Sequence, residues 1–251
     1  VGEVRGGGCG RAVELLCGER GAAGWERPEP GQKERQQKPF SLPEENRCGK
    51  AMVSYLQKRG IDADIISQCI GEKILYESRR YQNCVFVGRD PEGKARYACL
   101  RGTHGDFKMD VDGSDKRYGF CLPASDQESP FLAVAESPID ALSVATLLKL
   151  QGEDFGRNHY LSLGGTAPRA LLRFLRDHEA VTHISLCLDN DRAGILGIEK
   201  IREAVREDAT LSRRIQVIAD NPPAAGGKDY NELLCQRAAA LRPASRYEER
   251  A

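Results

Sequence analysis

The sequence predicts an α/β protein: a four-stranded parallel sheet with helices on its faces, preceded by a small α+β unit. Three observations predict it. From Pro130 onward, short apolar runs alternate four times with helical patterns, the rhythm of a parallel sheet joined by right-handed crossovers. Between residues 45 and 123, two short helical patterns lead into apolar runs separated by turn residues, as in an α+β unit. Residues 21–44 are rich in Gly, Pro, Gln, Lys and Glu with few apolar positions, which marks a flexible linker.

Composition narrows the class. The 251 residues are 40% hydrophobic and 29% charged, with 37 basic and 37 acidic residues, so no net field draws the whole molecule to a polyanion and any such binding is local. No apolar run approaches the ~20 residues of a spanning helix, and no signal peptide opens the chain. The nine Cys are odd in number and none stands in Cys-x-x-Cys spacing, so neither a disulfide framework nor a zinc site is readable. Cys84, Cys99 and Cys187 lie inside apolar runs, where reduced thiols act as small hydrophobes. A cytoplasmic setting follows.

Taken in order, residues 1–20 hold a Gly-rich start and a short helical pattern at Ala12–Leu16 closed by Gly18. After the linker, Met52, Tyr55 and Leu56 are spaced for a helix that Gly60 ends, and Ile65, Ile66 and Cys69 for a second. Residues 74–76, 83–88, 95–101 and 118–122 are the expected strands of the first unit, with Asp90-Pro-Glu-Gly93 as a hairpin turn. The second unit, 130–241, has strands at 131–135, 159–164, 182–188 and 214–219. Its helices are expected at 138–150, 167–178, 192–207 and 229–241, and residues 242–251 form a tail. Ser137 followed by Pro138 is a well-formed helix start, with an N-cap hydroxyl and proline at the first helical position.

In parallel sheets ligands bind beyond the carboxyl ends of the strands, and polar residues cluster at those ends here. The first strand runs into Glu136 and, one turn on, Asp140; the second into Gly164 and Gly165; the third into Asp189 and Asp191; the fourth leads to Lys228 and Asp229. Alternation in an extended segment points Asp189 and Asp191 the same way. Two like charges held so close suit a hard divalent cation such as Mg²⁺, which takes oxygen ligands and keeps waters for a phosphate substrate. Asp229 either completes the acidic cluster or opens its helix, and Lys228 and Arg192 are candidates for phosphate contacts. In the first unit Arg101, Lys116, Arg117 and Tyr118 form a basic–aromatic set, able to contact phosphates and stack bases.

This order of motifs resembles the Toprim domain of bacterial primases and topoisomerases, with Glu136 and Asp140 matching the first motif and Asp189 and Asp191 the second. Within that superfamily it is most similar to bacterial DNA primase, through Ser162-Leu-Gly-Gly-Thr-Ala167, Asp189-Asn-Asp-Arg-Ala-Gly194 and Gly227-Lys-Asp229. It departs at Ser137, where most Toprim domains have Gly. Residues 45–123 resemble the uncharacterised domain that precedes Toprim in proteins of plasmids and integrative elements, through 55–61, 83–90, 100–103 and 113–120. Ala12–Leu16 resembles the closing helix of a primase-type zinc ribbon whose ligands would lie upstream, so no zinc is expected in this chain.

The resemblance implies Mg²⁺ or Mn²⁺ on Asp189, Asp191 and Asp229, with Glu136 as general acid or base or a further ligand. Asp140 is then an orienting residue, and Gly164 and Gly165 shape the site. It also implies single-stranded DNA or another nucleic acid as substrate, nucleoside triphosphates, and replication or transfer proteins of a mobile element as partners. No membrane partner is implied. Three readings stay open: primer synthesis by nucleotidyl transfer, phosphodiester cleavage, and a non-catalytic DNA-binding accessory.

Overall fold

The structure, a computed structural model, describes residues 39–219, 222 and 227–241. The expected segment 1–20, most of the linker 21–44 and the tail 242–251 lie outside the described residues.

Two short helices open the described chain, α1 (Lys50–Lys58) and α2 (Ala63–Gly71). The Asp62 carboxylate starts α2 by accepting from the amides of Asp64 and Ile65, at 2.9 and 3.4 Å, which satisfies donors that a helix start leaves open. An antiparallel sheet follows in the order β1 (Leu75–Glu77), β2 (Cys84–Arg89), β3 (Ala95–Arg101) and β4 (Lys108–Asp110). The expected turn joins β2 to β3: Gly93 has φ +78°, and its amide donates to the Asp90 carbonyl at 2.9 Å. β4 has no counterpart in the sequence reading, because three largely exposed residues carry no apolar pattern.

The second sheet is mostly parallel, and it has five strands where four were expected. Its order is β5 (Cys121–Leu122), β7 (Asn158–Ser162), β6 (Phe131–Ala135), β8 (His183–Cys187), β9 (Gln216–Ala219). The extra member, β5, is the correction to the reading of 118–122. Those residues do not complete the first sheet; two of them pair antiparallel with β7. The reason is a close passage of backbone between the two sheets. A Cβ on Gly119 would lie 2.0 Å from the Ser162 carbonyl oxygen, and one on Gly88 would lie 2.6 Å from the Gly119 carbonyl oxygen. Only glycine lets these three chains stack. Phe120, next in line, is fully buried and meets Phe86 edge-on at 5.3 Å.

Helices cover both faces of the second sheet. On one side α3 (Pro138–Leu150) and α7 (Tyr230–Leu241) pack with α1 and α2 over Ala133, Ala135 and Tyr160. The small unit therefore shares a core with the larger one, through Met52, Leu56, Ile65 and Phe86. On the other side α4 (Arg169–Asp177) and α5 (Arg192–Glu207) cover Leu132, Val134, Leu161, Ile184 and Leu186. Leu211 of the short helix α6 (Leu211–Arg214) joins that second core. Alternate residues of β6 and β7 thus face opposite cores, as the strand pleat requires. No helix among the described residues is long and apolar enough to cross a membrane.

Candidate functional site

The carboxyl ends of β6 and β8 lie side by side, with Ala135 in register with Cys187, so Glu136 and Asp189 emerge together. Glu136 Oε1 accepts from the Asp189 amide at 3.2 Å. The first turn of α5 presses against the same spot. A Cβ on Gly194 would sit 2.1 Å from the Asp189 carbonyl oxygen and 3.0 Å from Glu136 Oε1. Asp191 caps α5, accepting from the amides of Ala193 and Gly194 at 2.9 Å each. Lys228 then closes the group: its Nζ lies 3.3 Å from Asp189 Oδ2 and 3.1 Å from Asp191 Oδ2. Its backbone carbonyl accepts from the Asn190 amide at 2.7 Å.

Asp140 stands one helical turn behind, only 7% exposed. Its Oδ2 accepts from the Ser137 hydroxyl at 2.6 Å and its Oδ1 from the Asn231 amide at 3.4 Å. The cap that starts α3 therefore also holds this carboxyl. Asn231 ties three elements: its Nδ2 donates to the Arg59 carbonyl at 2.9 Å and to Ser143 Oγ at 3.0 Å, while its Oδ1 accepts from Arg59 at 2.9 Å.

Electrostatics follow this packing. Burial, then the Asp189 carboxylate, raises Glu136 above the ordinary carboxylate range. Burial raises Asp189 too, against the opposing hydrogen bond from Lys228. Burial pushes Asp140 up to about 7, with the Ser137 hydroxyl opposing. Asp191 is lowered instead, first by the Gly194 amide and then by Lys228. Neighbouring acids separated in this way are a pattern of functional sites.

Glu136, Ser137, Asp140, Asp189 and Lys228 line a cavity of about 500 Å³. Gly164 and Gly165 line it, both with positive φ, at +64° and +134°. A Cβ on Gly164 would meet the Tyr97 hydroxyl at 2.7 Å. The antiparallel sheet contributes Arg101 and Lys108 to the same lining. Tyr97, buried on that sheet, donates to Asp110 at 2.7 Å. Sequence reasoning did not single out Tyr97, Lys108, Ser143 or Asn231, since each reaches the site from an element whose position only the tertiary fold sets. The sole signal was for Asn231, which lies two positions beyond the Gly227-Lys-Asp229 motif.

The remaining expected residues divide. Asp229 lines the cavity, yet its Oδ1 accepts from the Glu232 amide at 2.8 Å, so it opens α7 while its charge still acts on Asp189 and Asp140. Arg192 is exposed on the first turn of α5. The basic–aromatic set is split: Arg101 faces the acids, Lys116 pairs with Asp110 at 2.6 Å, and Arg117 pairs with Asp115 at 2.6 Å. Tyr118 lines a different cavity.

For a metal the donor chemistry fits. Asp189 and Asp191 offer oxygen only and already converge on one cationic atom, and Mg²⁺ is commonly held by one or two carboxylates plus substrate phosphates. Among the described residues no three of His, Cys, Asp and Glu come together as a metal-holding group.

The mostly parallel sheet carries an acid behind β6 and an Asp-x-Asp behind β8, in the order expected from the resemblance to the Toprim domain. The comparisons agree. Residues 133–234 match the family described as Toprim-like, and residues 54–127 match a protein family of unknown function, DUF3991. The chain thus carries a Toprim-like domain preceded by a DUF3991 domain. In fold it is similar to the primase fragment of the bacteriophage T7 primase-helicase protein, with TM-score 0.50 and 18% identity over 74% of this chain and 70% of that one. It is also similar to the DnaG catalytic core, with TM-score 0.51 and 17% identity over 76% of this chain and 70% of that one. A curated relative, an uncharacterized protein of Bacillus anthracis, is 27% identical over 175 residues, covering 64% of this chain. The chain spans about half the length of that relative, 49%.

Proposed function

We propose that the protein is a primase-like nucleotidyltransferase acting on single-stranded DNA with nucleoside triphosphates. One observation carries the reading: a single cavity is lined by Glu136, Asp189 and Lys228 and by Arg101 and Lys108. An acidic group able to hold a metal, with Arg101 and Lys108 on the same cavity, suits a triphosphate. Arg101 and Lys108 hold the phosphates, and Asp189 and Asp191 would hold Mg²⁺ or Mn²⁺. The chemistry such an ion would supply there is neutralisation of phosphate charge. Glu136, its pKa raised, accepts the proton of a 3′-hydroxyl as that oxygen attacks the α-phosphate and pyrophosphate departs. Tyr97 and the Gly164–Gly165 turn shape the cavity.

Cytoplasmic replication or transfer of a mobile element is the setting we place it in. Cys69 and Cys84 are buried free thiols, which supports a reducing compartment. The accessory reading is favoured by one observation: the Lys228 ammonium already neutralises Asp189 and Asp191.

The test is primer synthesis on single-stranded DNA with triphosphates and Mg²⁺, comparing the parent with Asp189→Asn/Asp191→Asn and including a lane without triphosphates. Extended products in the parent, reduced at least ~100-fold in the double variant, are expected for charge-stabilising groups of this kind. Shortened template without triphosphates would instead establish a nuclease. DNA binding with no product in any lane would establish the accessory role.

A further inference from the structure

We propose that a second cavity, between the small unit and α4, binds a compact ligand that joins a phosphate to a planar ring, the chemistry of a mononucleotide. Its volume is about 290 Å³, and it shares no lining residue with the acidic cavity. Arg89, Arg117, Tyr118, His159, Arg173 and His178 line it.

The first argument is a pair of orphaned donors. Among the described residues, three buried side-chain atoms have no hydrogen-bond partner: Arg89 Nε, Thr103 Oγ1 and His159 Nε2. Two of them belong to residues lining this cavity. His159 is 0% exposed, and its Nδ1 accepts from the Ala124 amide at 3.1 Å. The neutral ring therefore carries its proton on Nε2, which makes that atom a donor. Arg89 gives its two terminal nitrogens to the carbonyls of Gly93 and Lys73, at 2.7 and 2.8 Å, which leaves the Nε–H over. Buried donors are costly to leave unmade, and two on one cavity call for an acceptor-rich ligand.

The second argument is charge and ring geometry. The guanidiniums of Arg117 and Arg173 both lie over the Tyr118 ring, at 6.0 and 5.5 Å from its centroid. Two like charges are thus brought to one aromatic ring. Each has one carboxylate partner, Asp115 and Asp177 respectively, and a guanidinium has five donors, so donors remain for an anion. Of the lining carboxylates, Asp90 is committed to Arg96 at 2.6 Å and Asp177 to Arg173 at 2.7 Å, while Glu72 is exposed. Phe174 and His178, stacked on each other with centroids 3.8 Å apart, add aromatic rings to the lining. Phosphate on the arginines and a ring against the aromatics use the charged and aromatic parts of the lining, and the small volume favours one nucleotide over a polymer.

The experiment titrates the full chain, by calorimetry, with AMP, adenosine and inorganic phosphate. AMP is expected to bind one site, with adenosine and phosphate each at least about tenfold weaker. Arg117→Gln/Arg173→Gln should weaken AMP by about a hundredfold, whereas Asp189→Asn/Asp191→Asn should leave it unchanged. On the unmutated protein, the His159 Nε2 signal in ¹⁵N NMR should shift when AMP is added, and this measurement decides alone if the arginine variant does not fold. Absence of AMP binding, equal affinity for phosphate and AMP, loss of binding in the aspartate variant, or an unmoved His159 signal each overturns the proposal. Primer synthesis is not read in this experiment, so failure of the proposed enzymatic function leaves the outcome unaffected.

Discussion

The two cavities are built on opposite principles. At the strand ends the charged groups satisfy one another: Lys228 answers Asp189 and Asp191, and Ser137 and Asn231 answer Asp140. Beside α4, donors are left over, on Arg89 and His159. The first arrangement is a balanced acidic site, in which a ligand must displace or join existing pairs. The second is a set of donors whose cost only a ligand or ordered water relieves. The difference teaches that the position expected from topology and the position expected from unsatisfied chemistry need not coincide, and a single chain can hold both.

The seam between the sheets supports both cavities, and cutting it has the largest expected effect. Gly119 lines the second cavity and passes Ser162 at the end of β7, beside the first. In Gly119→Ala the new methyl would need a Cβ 2.0 Å from a backbone oxygen, and backbone cannot rotate aside as a side chain can. We expect a cost of at least about 3 kcal/mol, at the upper end for overpacking, and a Tm lower by roughly 6–12 °C. Calorimetry checks it. A Tm within a degree or two of the parent would mean that the sheets are not welded at this point.

Acid separates the two cavities next. Burial, then the nearby His178, lowers His159 to about 4 from an ordinary value of 6.5, with the Gln127 backbone and then Asp126 opposing. A base whose folded pKa is depressed stays neutral in the native state while the unfolded chain takes up a proton. Stability is therefore complete above pH ~6.5 and falls as pH drops toward 4, by on the order of 3 kcal/mol in all. Urea unfolding of the parent and His159→Gln across that window should show a shallower acid loss in the variant. Equal slopes would remove His159 as the source.

Much of this was legible beforehand. The Ser137–Pro138 start placed α3 at Pro138–Leu150, and the apolar runs placed β3 and β6 at their observed bounds. Those signals are local: a cap, a turn, a period. The acids at the strand ends were legible for the same reason, since topology alone sends them to one edge. What the sequence hid depends on contacts between distant segments. Cys121–Leu122 pairs with Tyr160–Leu161 across some forty positions, and no pattern within 118–122 distinguishes that sheet from the first. Likewise Arg117 and Tyr118 read as one set with Arg101, but the fold sends them to a different cavity. The orphaned Nε2 of His159 exists only because the Ala124 amide takes Nδ1.

The smallest expected effect is the one that makes the acidic site interpretable. Asp191 has two duties, an N-cap through Oδ1 and an ion pair through Oδ2. Asparagine caps helices about as well as aspartate, so Asp191→Asn keeps the first duty and loses the second. The Lys228 side chain is 55% exposed, and a pair so open to solvent contributes little, about 1 kcal/mol or less. Stability should therefore change by no more than ~1 kcal/mol in chemical denaturation, with helix content intact by circular dichroism. Against that background, loss of primer synthesis would report the carboxylate charge rather than the fold. A drop of several kcal/mol would show instead that the pair with Lys228 holds the structure together, and would turn the balance described at the strand ends from a site into a brace.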